Sequence, residues 1–236
     1  MSEDSGARLH DIQFFYDPIS PYAYLAFERL PEALMGHSVH VRYRPVLFAA
    51  LLKAAGQLGP AEIPGKREWT YRQVSWLAHH HGIPLNLPAA HPFNPLALLR
   101  LGLACTLDDA PGETNRFVTE QLFHHVWQGG QDAVDPARLQ ALEARLHNHM
   151  TARGRPWLSP DSVEVKQRLR ANTDEALALG IFGVPSLVVD GRVLWGHDAL
   201  PMLRDHLAGN AWFKSGDWEA AAAMPEGVIR QQHSVQ

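Results

Sequence analysis

Two short stretches of this sequence combine residue types and spacing that can do chemistry. In Asp17-Pro18-Ile19-Ser20-Pro21 an apolar run stops and a helix-like pattern begins at once. Ser20 stands where a helix N-cap belongs, and Pro21 suits the first helical position. A capping serine is one reading. The same geometry supports a second. A helix N-terminus presents unpaired N–H groups and the positive end of a dipole, so it favours an anion. A thiolate is such an anion. A serine hydroxyl placed there can donate a hydrogen bond to sulfur while staying neutral. The other stretch is Gly183-Val184-Pro185-Ser186. Proline is tolerated as the first residue of a strand, so this reads as an ordinary strand start. The sharper reading is a cis Val184–Pro185 bond, with the Val184 amide and carbonyl turned outward to pair with a peptide-like ligand.

Other constellations carry less. The consecutive imidazoles of His79-His80-His81 splay around a helix and do not face one metal. His124-His125 and His147-x-His149 lack partner ligands, so no metal site is expected. There is no Gly-x-Ser-x-Gly elbow, no P-loop and no dinucleotide fingerprint. A Ser20–His–Asp hydrolase triad would need tertiary contacts that the sequence does not display. Cys105 is the single cysteine, which excludes an internal disulfide and a Cys-x-x-Cys site. It lies in the apolar run Leu96 to Leu107 and reads as a buried small hydrophobe.

The elements that must position these residues follow from periodicity. Ile12 to Tyr16 is an apolar and aromatic strand candidate, and Tyr22 to Leu34 has helical spacing. Val39 to Arg44 alternates as a second strand, completing a βαβ unit with a parallel pair. Helical patterns then fill 47–55, 66–82, 94–107, 112–128, 136–149 and 161–180, separated by Gly and Pro breakers. Strands return at Ser186 to Val189 and Arg192 to Trp195, joined by the hairpin signal Asp190-Gly191. Asp198 heads a last helix over 199–208, ended by Gly209. This is the element order of an α/β thioredoxin fold with a large all-helical domain inserted between its βαβ and ββα halves. The expected division is 1–46 with 181–215 for the thioredoxin-like domain, 47–180 for the insertion and 216–236 for a tail.

Composition bounds the function classes. The chain has 236 residues, 46% of them hydrophobic, enough for a full core. A net charge of -4 gives no footprint for nucleic acid or an anionic membrane. No run approaches the roughly 18 apolar residues of a membrane span. The acidic first ten residues do not read as a signal peptide, so a reducing cytoplasm is the expected location.

The segments FYDPISPYAYLAFE (15–28), GPAEIPGKR (59–67), GIPLNLP (82–88), HPFNPLALLRL (91–101), GIFGVPSLVVDG (180–191) and WGHD (195–198) occur in an order that resembles one family. The chain resembles the kappa-class glutathione transferases and, more closely, the 2-hydroxychromene-2-carboxylate isomerases, within the DsbA-like thioredoxin superfamily. Redox relatives carry Cys-x-x-Cys where this chain has Ser20-Pro21-Tyr22-Ala23, so dithiol exchange is impossible here. The resemblance implies a sulfur supplied by glutathione as cofactor, hydrogen-bonded by Ser20. It implies that Val184, before a cis Pro185, holds the cysteinyl backbone, that Asp198 meets the γ-glutamyl amine and that Lys66 lies near glutathione. Gln57 falls where kappa enzymes carry a contacting asparagine, and His197 where they carry a serine. Read from local sequence, Asp198 is equally an N-cap and Lys66 a solvated helix charge. The implied substrate is a small aromatic carboxylate in an apolar pocket, for which Tyr22, Phe48, Trp76, His91, Phe93 and Asn94 are candidates. The implied state is a homodimer. The implied reaction interconverts 2-hydroxychromene-2-carboxylate and trans-o-hydroxybenzylidenepyruvate. A kappa-type transferase and a non-catalytic glutathione- or peptide-binding module are the alternatives.

Overall fold

β-branched and aromatic residues dominate the segments that become strands, and these pair into one four-stranded sheet. In a computed structural model, which describes residues 8–105, 110–225 and 227, the sheet order is β2-β1-β3-β4. β1 (His10–Tyr16) pairs parallel with β2 (Val39–Pro45) and antiparallel with β3 (Ser186–Val189). β3 pairs antiparallel with β4 (Arg192–Trp195). The hairpin between them puts Asp190 and Gly191 at φ 48° and 77°, the left-handed pair that this tight turn requires.

Helix α1 (Pro21–Leu34) links β1 to β2. Between β2 and β3 come α2 (Phe48–Ala54), α3 (Lys66–His81), α4 (Leu96–Ala104), α5 (Arg116–Trp127), α6 (Pro136–Thr151) and α7 (Val163–Ala178). A 3₁₀ turn (His197–Ala199) and α8 (Leu200–Leu207) follow β4. The element order is that of a thioredoxin fold with a large helical insertion.

β1 is covered on both faces. Ile12, Phe14 and Tyr16 join the main core with Phe27 of α1, Phe123 and Trp127 of α5 and Leu203 of α8. Phe15 points the other way, into a cluster with Val46, Leu51, Ala176 and Val188. Each of these fully buried aromatics contributes roughly 1.5–3 kcal/mol of transfer free energy. The helical block therefore shares one core with the sheet.

Several expected boundaries move. α5 begins at Arg116, not 112, because the Thr114 amide donates to the Tyr43 carbonyl at 2.9 Å and the Asn115 side chain caps the helix. The helix expected over 94–107 ends at Ala104, and 106–109 lie outside the described residues. Asp198 does not cap the last helix. It sits within the 3₁₀ turn, its side chain 81% exposed, and α8 starts after Ala199. The segment read as a tail contains a short helix, α9 (Asp217–Ala222), whose Trp218 packs on Phe213 and under the Arg192 guanidinium. Among the described residues no helix is long and apolar enough to cross a membrane.

Candidate active site

The loop Asp17–Ser20 ends β1 and starts α1, and the surrounding elements tie it at every step. The Ser20 amide donates to the Asp17 carbonyl at 3.0 Å. The Asp17 carboxylate accepts from the amides of Ile19 and Phe48, both at 3.0 Å. Trp127 donates its indole N–H to the Pro18 carbonyl at 2.9 Å. The His91 Nε2 lies 2.8 Å from the Ile19 carbonyl. A carbonyl only accepts, so Nε2 carries the hydrogen.

Ser20 is the N-cap of α1. Its Oγ accepts from the Ala23 amide at 3.2 Å and donates to the Val184 carbonyl at 3.3 Å. The Val184–Pro185 peptide is cis. The two stretches singled out by sequence therefore meet. The acceptor bond fixes the oxygen, while the long donor bond leaves the proton free to turn toward an anion in front of the helix. The cap reading holds, and the same oxygen carries a proton that rests on the Val184 carbonyl. Among the described residues no histidine hydrogen-bonds the Ser20 hydroxyl, whose partners are Val184 and Ala23, so no hydrolase triad is assembled; the nitrogens of His91, which also lines the cleft, are engaged with Ile19 and, at 2.7 Å, with the Tyr71 hydroxyl.

In front of this loop opens a cleft of about 790 Å³ between the sheet end and the first helices of the insertion. Ser20, Tyr22, Phe48, Gln57, Lys66, His91, Phe93, Asn94 and Val184 all line it. Lys66 opens α3, is exposed, and has no ion-pair partner among the described residues. Pro185 lies behind Val184, its carbonyl accepting from the Gly196 amide at 2.9 Å. His197 and Asp198 flank the cleft through Tyr22: the His197 ring stacks on Tyr22 at 5.2 Å, and Asp198 is close enough to push the Tyr22 phenol up, a smaller effect than burial. Burial lowers the His197 pKa against the pull of Asp198.

Trp76 is a correction. It lies 59% exposed and stacks on His80 at 5.0 Å, away from the cleft. The buried stripe of α3 runs through Thr70, Val74 and Ala78, and position 76 falls on the opposite face.

Sequence reasoning missed three contributors. Asp17 lines the cleft, fully buried and with no ion-pair partner among the described residues. Burial raises its carboxyl to about 7, outweighing the two amide bonds that lower it. Phe182 and Trp195, 4.8 Å apart, form an aromatic wall at the rim. Gly183 permits this wall, since a Cβ there would meet the Trp195 Nε1 at 2.6 Å. The signal was present: Trp195 follows buried Leu194 in a two-residue alternation and so faces outward.

The helix start at Ser20 faces the strand-leading Pro185, and the sequence profile of the DSBA-like thioredoxin domain matches residues 11–208. The chain belongs to this family. It is similar to glutathione S-transferase kappa 2 of Caenorhabditis elegans, 29% identical over 209 residues that cover 84% of this chain and 91% of that protein. It is also similar to 2-hydroxychromene-2-carboxylate isomerase of Sphingobium xenophagum, 28% identical over 201 residues covering 83% and 97%. A solved structure of a 2-hydroxychromene-2-carboxylate isomerase superimposes with a TM-score of 0.66 at 21% identity, covering 87% of this chain and 98% of that one. That likeness shows the DSBA-like fold, and the sequence relatives support an enzyme of a glutathione-related branch.

Proposed function

We propose that this protein is a glutathione-dependent isomerase that interconverts 2-hydroxychromene-2-carboxylate and trans-o-hydroxybenzylidenepyruvate. The observation that carries the reading is Ser20: a neutral donor at the start of α1, beside the Val184 carbonyl, with no sulfur at position 20 or 23. The residues fit glutathione. The cleft holds one hydroxyl for the thiol, one unpaired lysine for a carboxylate and a backbone segment for the cysteinyl unit. When bound, glutathione would supply a thiolate able to add to the ring-side carbon of the double bond once the hemiketal C–O bond has opened to phenol and ketone; the bond, then single, could turn before the thiolate is eliminated and regenerated.

Ser20 turns its proton from Val184 to the sulfur and, with the α1 dipole, favours the ionised thiol. Lys66 takes a carboxylate as a point charge. The backbone of Val184, before Pro185, pairs with the cysteinyl unit, Asp198 meets the ammonium, and Gln57 and His197 are further glutathione contacts. Tyr22, Phe48, Phe93 and Asn94 surround the electrophile, and the Phe182–Trp195 wall excludes water from its ring. The reading includes a homodimer in a reducing cytoplasm, serving breakdown of aromatic compounds.

Turnover of the chromene carboxylate, followed by ultraviolet absorbance with and without glutathione, tests this. Glutathione-dependent interconversion without consumption of the thiol is expected. Stoichiometric accumulation of a conjugate would replace the isomerase by a kappa-type transferase. Glutathione binding without turnover of any conjugated electrophile would leave a binding module.

A further inference from the structure

We propose that His91, held by Tyr71, is the positioning residue that fixes the Ile19–Ser20 peptide and thereby aims the Ser20 hydroxyl. The proposal deepens the glutathione reading, on which only the identity of the thiol rests. A peptide unit is planar, so anchoring both of its polar groups fixes its rotation. On one side the Ser20 amide donates to the Asp17 carbonyl at 3.0 Å. On the other, His91 Nε2–H donates to the Ile19 carbonyl at 2.8 Å. Without the second bond the plane is free to rock, carrying the Ser20 Oγ with it.

The imidazole is itself held in place. Nδ1 accepts from the Tyr71 hydroxyl at 2.7 Å, which selects the tautomer with hydrogen on Nε2. The His91 carbonyl accepts from Arg67 at 2.7 Å. The ring packs 5.5 Å from Trp127, whose indole holds the neighbouring Pro18 carbonyl. Burial lowers the His91 pKa, in keeping with a neutral ring. Both nitrogens are occupied, so His91 meets a ligand through ring carbon only.

Arg67 and Tyr71 share one face of α3, the helix that Lys66 opens. The first turns of α3 therefore supply the groups that hold His91.

The test compares His91→Leu, His91→Gln and Tyr71→Phe with the unmodified protein by amide hydrogen exchange, with α8 as the internal control. The Gln amide can replace the Nε2 donor, and Tyr71→Phe keeps the ring if Leu at 91 impairs folding. Exchange over residues 17–24 should rise about tenfold in His91→Leu, less in Tyr71→Phe, and return toward the original rate in His91→Gln. The thiolate absorbance of bound glutathione should titrate at higher pH in His91→Leu, with affinity changed less than the titration. Unchanged exchange in 17–24, an equal rise in α8, or Gln behaving like Leu would overturn the proposal. If the unmodified protein shows no bound thiolate, the glutathione reading fails, and the exchange rates alone decide the role of His91.

Discussion

Ser20 and Asp17 sit three residues apart and treat charge in opposite ways. In the proposed reading Ser20 offers its proton to the thiolate and stays neutral. Ser20→Ala should therefore raise the pKa of bound glutathione thiol and lower turnover by about 10²-fold, the scale of losing one oriented donor. It also removes a cap and should cost about 1 kcal/mol of stability. An unchanged thiolate titration would refute the donor role. At Asp17 burial favours the protonated form, raising the carboxyl from 3.8 to about 7. Between those values the folded chain binds a proton that the unfolded chain has lost. Its contribution is complete below about pH 4 and is lost as pH rises to about 7, on the order of 4 kcal/mol in all. Asp17→Asn should flatten that part of the pH dependence. Urea midpoints of both proteins between pH 4 and 8 isolate the difference, and parallel curves would sink the assignment. The positions of Ser20 and Val184 are legible as a helix cap and as the residue before a strand-leading proline, whereas Lys66 enters only through the family resemblance. Asp17 was not legible, because its burial depends on Phe48, which the chain reaches only after α1 and β2. Trp76 was misplaced although the phase of α3 was available in Thr70, Val74 and Ala78.

At the scale of elements, the strands and the hairpin could be read from alternation and Asp190-Gly191. Helix starts were less legible wherever a long-range partner decides them. The turn before α5 shows why. Gly112 has φ 87°, and a Cβ there would meet the Asn172 Oδ1 at 2.6 Å. Asn172, buried on α7, donates to the carbonyls of Gly112 at 2.7 Å and Pro45 at 2.9 Å. One side chain thus joins β2, the approach to α5 and α7, a junction that no local window contains. Asn172→Ala would strand two buried carbonyls and should destabilise the fold by roughly 2–4 kcal/mol, read from denaturant midpoints. A cost within 0.5 kcal/mol, the usual range for surface changes, would show that the junction is not structural.

For the whole molecule, the cleft draws on α1, α3 and the segment leading into β3, so a ligand that spans it ties distant parts of the sequence together. Glutathione at about 100 times its Kd should add about 2.7 kcal/mol of stability and raise Tm by roughly 5–10 °C. Ser20→Ala should shrink that shift, and no shift at saturating glutathione would remove the cofactor. The shared core of sheet and helices predicts one unfolding transition, not two. The same connectivity sets an order on birth. β1 lies inside the sheet, yet one of its two partners, β3, is translated only after α2 to α7. As the chain leaves the ribosome, β1 can pair at once with β2, but its other edge, and the Phe15 face that Val188 covers, must wait for nearly the whole sequence. That waiting edge is an invitation to aggregate, so the nascent chain is a natural client for a chaperone until β3 arrives.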